Sequence, residues 1–191
     1  MLLRSLIELV ENGRIPDLLT RAGIRLLLLQ RLREQAQEGP DQEWQAMMTF
    51  VEEMRQSPIA LHTQEANEQH YELPSRFFEL VLGPHLKYSC CHFPESVTEL
   101  EHAEASMLAL TCERAQLQDG QQILELGCGW GSLSLWMAKH YPNSSILAVS
   151  NSRPQREFIE SRAQELGLTN LSVQTCDMND LTTEQHFDRV V

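Results

Sequence analysis

The stretch that decides the fold is ILELGCGWGSLSLW, residues Ile123–Trp136. An apolar run leads into three glycines at alternate positions, Gly127, Gly129 and Gly131, and a helix-like segment follows. Glycine tolerates positive φ and lets a ligand approach the backbone without a Cβ in the way. The N-terminus of a helix beyond such a turn offers unpaired N–H groups to negative charge. The stretch therefore predicts a strand, a ligand-binding turn and a helix.

Strand and helix patterns alternate on the C-terminal side of Gly120. The segments QILEL, SILAVS and LSVQTC are typical of buried strands, and FDRVV has the pattern of the beginning of a fourth. Between them, helices are expected at residues 131–140 and at about 153–166, the second with Ser152 as its cap. This order predicts an α/β fold with a parallel sheet, a partial doubly wound Rossmann-like domain.

The N-terminal part of the chain has a different pattern. IRLLLLQRLREQAQ (Ile24–Gln37) consists largely of good helix formers, and QEWQAMMTFVEEMRQ repeats apolar residues at helical spacing. We expect a helical N-terminal region at residues 1–70, forming a lid or a dimer contact. The N-terminal half of a ligand-binding domain is expected at residues 71–191. The Met and Trp stripe of the second helix fits either core packing or a subunit contact, so a homodimer through these helices is one expectation.

Composition and charge limit the classes of function. The 191 residues carry a formal net charge of −12, which argues against a phosphate-tracking nucleic-acid binder and against electrostatic docking on anionic lipid. No apolar run reaches the roughly 18 residues typical of a membrane span. The five cysteines are odd in number and lack metal-ligand spacing, so we predict no metal site. Reduced thiols in a cytoplasmic protein are the expectation.

The spacing of the glycines narrows the class of ligand that the turn could bind. A dinucleotide turn has the pattern GxGxxG, but Ser132 occupies its third glycine position here. The acid that precedes the turn, Glu125, suits a ligand with a cationic amino-acid end, whose ammonium it would anchor while the turn meets the carboxylate. This is the pattern of S-adenosylmethionine (SAM) methyltransferases, and we expect contacts to the cofactor from Glu125 and the three glycines. A dinucleotide site and a purely structural turn remain as alternatives.

The second strand lacks the carboxylate that often binds ribose hydroxyls at this position. The segment VSNSRPQ offers Ser150, Asn151 and Gln155 instead. Ser152 and Gln155 also have the spacing of a capping box, so Gln155 has two compatible interpretations.

A further pair of candidate residues follows the third strand, in the segment CDMND. The carboxylate of Asp177 is placed to accept from an adenine amino group, and Met178 to pack on the ring. The alternative for Asp177 is an ordinary loop acid.

Three stretches together resemble a known family: HYELPSRFFELVLGPHLKYSCCHF, AEASMLALTCERAQLQDGQQILELGCGWGSLSLWMAKHYP and AVSNSRPQREFIE. They are similar to the cyclopropane-fatty-acid-synthase superfamily of SAM enzymes, and within it to coclaurine N-methyltransferase-like proteins. The N-terminal ENGRIPDLLTR and the doubled cysteine of YSCCHF also resemble that subgroup. The resemblance covers nearly the whole chain and implies a class I methyltransferase sheet.

The resemblance also implies roles for individual residues. Tyr88 and Ser89 would lie over the cofactor as part of a lid. Cys90 matches a cysteine that lies near a bound bicarbonate base in cyclopropane synthases; its alternative is a buried structural thiol. Contacts to the cofactor along its length would come from Gly127, Gly129, Ser150, Asn151, Gln155, Asp177 and Met178.

Two reactions fit the resemblance. A small amine would accept the methyl group as a neutral nucleophile, with a base to manage its proton. In the alternative, a lipid alkene would accept it in a cyclopropane-synthase reaction. The sequence ends at FDRVV, where the family continues into catalytic residues, so we expect a truncated and inactive form of a methyltransferase. A non-catalytic interaction fragment that pairs through its N-terminal helices is the remaining alternative.

Overall fold

The computed structural model describes residues 2–35, 39–61 and 73–191. The chain divides into two compact units, one ending at Ser57 and the other spanning Pro58–Val191. The domain boundary expected between residues 70 and 71, like the end of the helix predicted to reach Gln37, lies outside the described residues.

The first unit is helical, as its sequence predicts. Asp17 in the first turn of its second helix pairs with Arg21 at 2.8 Å, one turn along, which supports the helix start. The third helix begins with Pro40 in its first turn, where the missing N–H costs nothing. The bounds are α1 Leu2–Glu11, α2 Asp17–Gln35 and α3 Pro40–Gln56.

The Met and Trp stripe of α3 does not form a core. Trp44, Met47, Met48 and Met54 are all exposed, and α3 has no buried residue. Of the two interpretations of the stripe, core packing is therefore not what the described residues show. No described helix is both long enough and apolar enough to cross a membrane.

The second unit is built on a parallel sheet. Its described strands are β1 Gln122–Leu126, β2 Ser145–Ser150, β3 Leu171–Thr175 and β4 Arg189–Val190. They lie in the order β3-β2-β1-β4, and all pairs are parallel. The register sets Leu124 opposite Leu147 and Ala148 opposite Val173. The α/β class with a doubly wound parallel sheet is thus confirmed.

The helices of the second unit flank this sheet. The helix predicted at residues 131–140 begins one residue later, because Gly131 is its N-cap in a left-handed conformation. Ser152 caps the following helix and Pro154 lies in its first turn, as predicted. Gly167, with a φ of 67°, follows that helix. The bounds are α4 Ser75–Val81, α5 Leu100–Arg114, α6 Ser132–His140 and α7 Arg153–Glu165.

Two clusters of buried side chains hold these layers together. Removing such apolar surface from water contributes roughly 25 cal/mol per Å². The first cluster joins α5, β1, α6 and β2 through Cys112, Ile123, Met137, Ala138 and Ile146. The second joins the turn after β1 to β2, α7 and β3 through Cys128, Ala148, Ile159 and Val173.

One side-chain amide ties α6 to the sheet. The Nδ2 atom of Asn170 donates to the carbonyl oxygens of Ala138, Tyr141 and Ser144 at 3.0–3.2 Å. These carbonyls belong to the end of α6 and the turn after it, where the helix no longer supplies N–H groups to its last carbonyls. The carbonyl of Tyr141 also accepts the N–H of Ser144 at 3.1 Å.

We expect Asn170→Ala to lower the free energy of unfolding by about 1–3 kcal/mol, since it removes the side-chain donor from all three carbonyls. Asn170→Asp should cost more, because it points a carboxylate at three carbonyl oxygens. Urea denaturation of both variants measures the effect. The exposed neighbour Thr169→Ala is the control, and an Asn170→Ala variant as stable as this control would contradict the prediction.

Candidate cofactor-binding site

The turn after β1 has the backbone conformation that only glycine adopts easily. The φ angles of Gly127, Gly129 and Gly131 are 80°, 54° and 80°. The amides of Gly127 and Cys128 both donate to the carbonyl oxygen of Val149 at 3.0 Å. The turn is therefore fixed against the carboxyl end of β2.

The three glycines differ in what surrounds them. A Cβ at Gly127 or Gly129 would have nothing within 4 Å, so the backbone there is open to a ligand. A Cβ at Gly131 would lie 2.6 Å from Cγ1 of Ile159, which is far inside van der Waals contact. Gly131 also does not line the cavity described next. The structure gives Gly131 a packing role between α6 and α7, and its contact with the cofactor stays a prediction.

A cavity of about 800 Å³ lies at the carboxyl ends of β1 and β2, entirely within the second unit. Its volume is within the range of small-molecule sites. The wall contains most of the residues predicted from the sequence, from the loop before α5, the glycine turn, the end of β2 and the segment after β3. These are Tyr88, Ser89, Cys90, Glu125, Gly127, Gly129, Ser150, Asn151, Gln155 and Met178.

Glu125 is a buried acid in the cavity wall, only 5% exposed. The hydroxyl of Ser134 donates to its carboxylate at 2.5 Å. Burial raises the pKa of Glu125 to about 7, and the hydrogen bond from Ser134 opposes that shift. Near neutral pH this carboxyl group can therefore change its charge when a cation arrives.

The polar residues after β2 form a connected group. The hydroxyl of Ser150 donates to Oε1 of Gln155 at 2.7 Å and accepts from the backbone N–H of Ser152 at 3.0 Å. The N–H of Gln155 donates to the hydroxyl of Ser152, which is half of the predicted capping box. The side chain of Gln155 is held by Ser150 instead of returning to the cap. Gln155 thus combines a helix-start position with a place in the cavity wall.

The two candidates after β3 have different surroundings. Met178 lines the cavity, whereas Asp177 does not. The carboxylate of Asp177 accepts from the backbone N–H of Asn179 at 2.8 Å and from its side-chain amide at 2.9 Å. The contact of Asp177 with adenine remains a prediction.

The loop before α5 brings three predicted residues to the cavity. The ring of Tyr88 meets that of Phe78 edge to face, with centroids 5.8 Å apart. Nζ of Lys87 donates to the hydroxyl of Ser89 at 2.6 Å. Cys90 is exposed, so the alternative that it is a buried structural thiol is wrong. Its catalytic role remains a prediction.

Other residues of the cavity wall were not predicted from the sequence. Trp130 is only 3% exposed, and its ring lies between Phe78 and Phe158, with centroids 4.7 and 5.4 Å away. The position of Trp130 inside the glycine motif was the sequence feature that could have indicated its place in the wall. Met107 and Thr111 reach the wall from one face of α5. Their spacing indicates that they share one face of the helix, but it does not show whether that face lines a cavity or packs in a core.

A parallel sheet with a glycine turn at the end of β1 and a cavity beside that turn defines a Rossmann-like domain of the methyltransferase type. The profile of the family described as mycolic acid cyclopropane synthetase matches residues 60–191. The chain belongs to this family, which confirms the resemblance drawn from its motifs.

The similar proteins include methyltransferases and a cyclopropane synthase. An (S)-coclaurine N-methyltransferase of Thalictrum flavum subsp. glaucum is 36% identical over 98% of this chain and 52% of its own length. A cyclopropane-fatty-acyl-phospholipid synthase of Escherichia coli (strain K12) is 35% identical over 65% of this chain and 31% of its own length.

A solved coclaurine N-methyltransferase bound to N-methylheliamine and SAH matches all of this chain. The TM-score is 0.90 and the identity 35%, and the match covers 55% of that protein. The chain therefore spans about half the length of the N-methyltransferases that it matches.

Proposed function

We propose that the cavity of the second unit binds SAM. The supporting observation is the combination of two left-handed glycines after β1, Gly127 and Gly129, with the buried acid Glu125 in the same cavity wall. The backbone at Gly127 and Gly129 has no neighbour where a Cβ would stand, so a ligand can approach it closely. The solved relative is named as bound to SAH, which is SAM without its transferable methyl group, and this supports SAM as the cofactor.

The wall residues suit the parts of this cofactor. Glu125 would hold the ammonium and the open turn the carboxylate of the methionine end. Ser150, Asn151 and Gln155 provide hydroxyl and amide groups for the ribose at the end of β2. Bound SAM would supply an electrophilic methyl group on its sulfonium, and the task of the protein is to orient a nucleophile in line with that C–S bond.

The adenine contact gives a separate test. We expect Asp177→Ala to weaken SAM binding by about tenfold, the typical effect of losing a hydrogen bond to a charged group. Asp180→Ala, an exposed acid three residues on, is the control. Calorimetric titration of the two variants compares their affinities. An affinity unchanged by Asp177→Ala would show that Asp177 is an ordinary loop acid.

We further propose that the methyl acceptor is the nitrogen of a small amine. N-methyltransferases match this chain across nearly its whole length, including the N-terminal helices, whereas the bacterial cyclopropane synthase matches 65% of it. Transfer to a lipid alkene is the alternative. Incubation with labelled SAM and either secondary amines or vesicles of unsaturated phospholipid distinguishes the two acceptors.

The 191-residue chain by itself is proposed to bind SAM without transferring its methyl group. Among the described wall residues Glu125 is the only carboxylate, no histidine is present, and the site assigned to Glu125 is the ammonium of the cofactor. This wall therefore offers the acceptor amine neither an imidazole nor a second carboxylate, the side chains that most often serve as bases. Methylation of any amine by the purified chain would refute this proposal.

The role of the N-terminal helices as a contact with a second copy is also a proposal. It is supported by the exposed apolar side chains of α2 and α3, among them Leu26, Leu28, Trp44 and Phe50. Sedimentation of the chain at several concentrations tests it, and a monomer at every concentration would contradict it.

A further inference from the structure

A buried acid of α5 holds the loop that lines the cavity. Glu104 is 1% exposed, and each of its carboxylate oxygens accepts a backbone N–H from this loop. Oε2 accepts from His85 at 3.0 Å and Oε1 from Lys87 at 3.1 Å. Glu104 does not itself line the cavity, whereas Lys87 and the three residues after it do.

The loop between these two amides has an unusual conformation. Leu86 has a φ of 51°, and its own N–H donates to the carbonyl oxygen of Gly83 at 2.9 Å. A left-handed conformation is unfavourable for a residue with a Cβ. Backbone N–H groups that converge around such a residue form a concave site for an anion. The Glu104 carboxylate is the anion in this site, and its two hydrogen bonds offset the strain at Leu86.

Gly83 lets the loop pass close to this contact. A Cβ at Gly83 would overlap the Glu104 carboxylate, so a side chain there would displace the acid from its present position. Beyond the cavity-lining residues, the N–H of His92 donates to the carbonyl oxygen of Ala103, the neighbour of Glu104, at 3.2 Å. The segment with Tyr88, Ser89 and Cys90 is thus attached to α5 at both ends.

We propose that Glu104 is a positioning residue for the cofactor site: its charge holds the 83–92 loop in the conformation that sets Tyr88, Ser89 and Cys90 in the cavity wall. This inference rests on the proposed binding of SAM in that cavity. Glu104 acts through the loop backbone and not by touching the cofactor.

The test is chemical rescue of SAM binding. The dissociation constant for SAM is measured by calorimetry for the wild-type chain, Glu104→Ala and the control Glu113→Ala, which removes an exposed acid from the same helix. Glu104→Ala should raise the dissociation constant by about 5- to 30-fold, and Glu113→Ala should leave it unchanged. Added acetate should restore most of the loss by occupying the vacated anion site, whereas acetamide or sodium chloride at the same concentration should not.

Melting temperatures of the same samples separate positioning from general stability. Rescue by acetate but not by acetamide supports the proposal. An unchanged dissociation constant in folded Glu104→Ala would overturn it. So would a weakened affinity that follows the fall in melting temperature and does not respond to acetate.

If Glu104→Ala does not fold, Glu104→Gln tests the same proposal, since it keeps the shape of the side chain and one acceptor but lacks the charge. It should weaken SAM binding at a temperature where it is fully folded, and wild-type affinity in this variant would overturn the proposal. Failure of the wild-type chain to bind SAM is a different result, because it rejects the proposed cofactor before Glu104 is tested.

Discussion

Glu125→Gln is expected to stabilise the ligand-free protein above neutral pH and to weaken its binding of SAM. Burial raises the pKa of Glu125 to about 7 from the usual 4.5, so between these values the folded state binds more protons than the unfolded state. Wild-type stability relative to the variant should therefore fall as the pH rises from 4.5 to 7, by up to about 3 kcal/mol in total. Urea denaturation at pH 5 and pH 8 measures the difference.

The affinity of the wild-type chain for SAM should rise with pH, whereas its stability falls. An ionised Glu125 attracts the ammonium of SAM, so the wild-type dissociation constant should improve as pH rises through 7, while Glu125→Gln binds about 10- to 100-fold more weakly at pH 8. The ratio of the two dissociation constants cancels the titration of the ligand itself. Glu113→Gln, at an exposed site, is the control. Equal affinities at pH 8 would contradict the role of Glu125 in holding the ammonium.

Gly131→Ala should destabilise the second unit by about 2–4 kcal/mol. Part of this is the left-handed backbone, with a φ of 80°, which costs roughly 1–2 kcal/mol for a residue with a Cβ. The remainder comes from overlap with the side chain of Ile159, whose Cγ1 would lie 2.6 Å from the new Cβ. Gly167→Ala supplies the matched control, because Gly167 has a φ of 67° and no neighbour within 4 Å of its Cβ position.

A double-mutant cycle isolates the overlap. In an Ile159→Ala background the atoms that obstruct residue 131 are gone, so Gly131→Ala should cost at least about 1 kcal/mol less than in the wild type. The free energies of unfolding of the four proteins give this coupling. An equal cost in both backgrounds would mean that the packing of α6 against α7 does not require glycine.

The sheet was predictable because its pattern is local. The strand SILAVS is apolar between its two terminal serines, and Ser152, Pro154 and Gly167 mark where α7 begins and ends. Such signals depend on the backbone preferences of single residues, which a sequence shows directly. The same is true of the glycine turn, since positive φ at alternate positions needs glycine.

The distinction between binding and packing residues was not predictable. Gly131 and Gly129 look equivalent in the motif, but only the fold brings Ile159 against one of them. Glu104 looks in the sequence like an ordinary acid on a helix, but its partners are two backbone amides 17 and 19 residues earlier. Contacts of this kind depend on how distant segments meet, and no local preference encodes them.

Calorimetric titration of the wild-type chain with SAM at pH 8 decides whether the cavity at the end of β1 is a SAM site. We expect one saturable site with a dissociation constant on the order of 1–100 µM, a rise in melting temperature with SAM concentration, and no response to NAD. A folded chain that gives neither heat nor a thermal shift with millimolar SAM would mean that this cavity does not bind SAM.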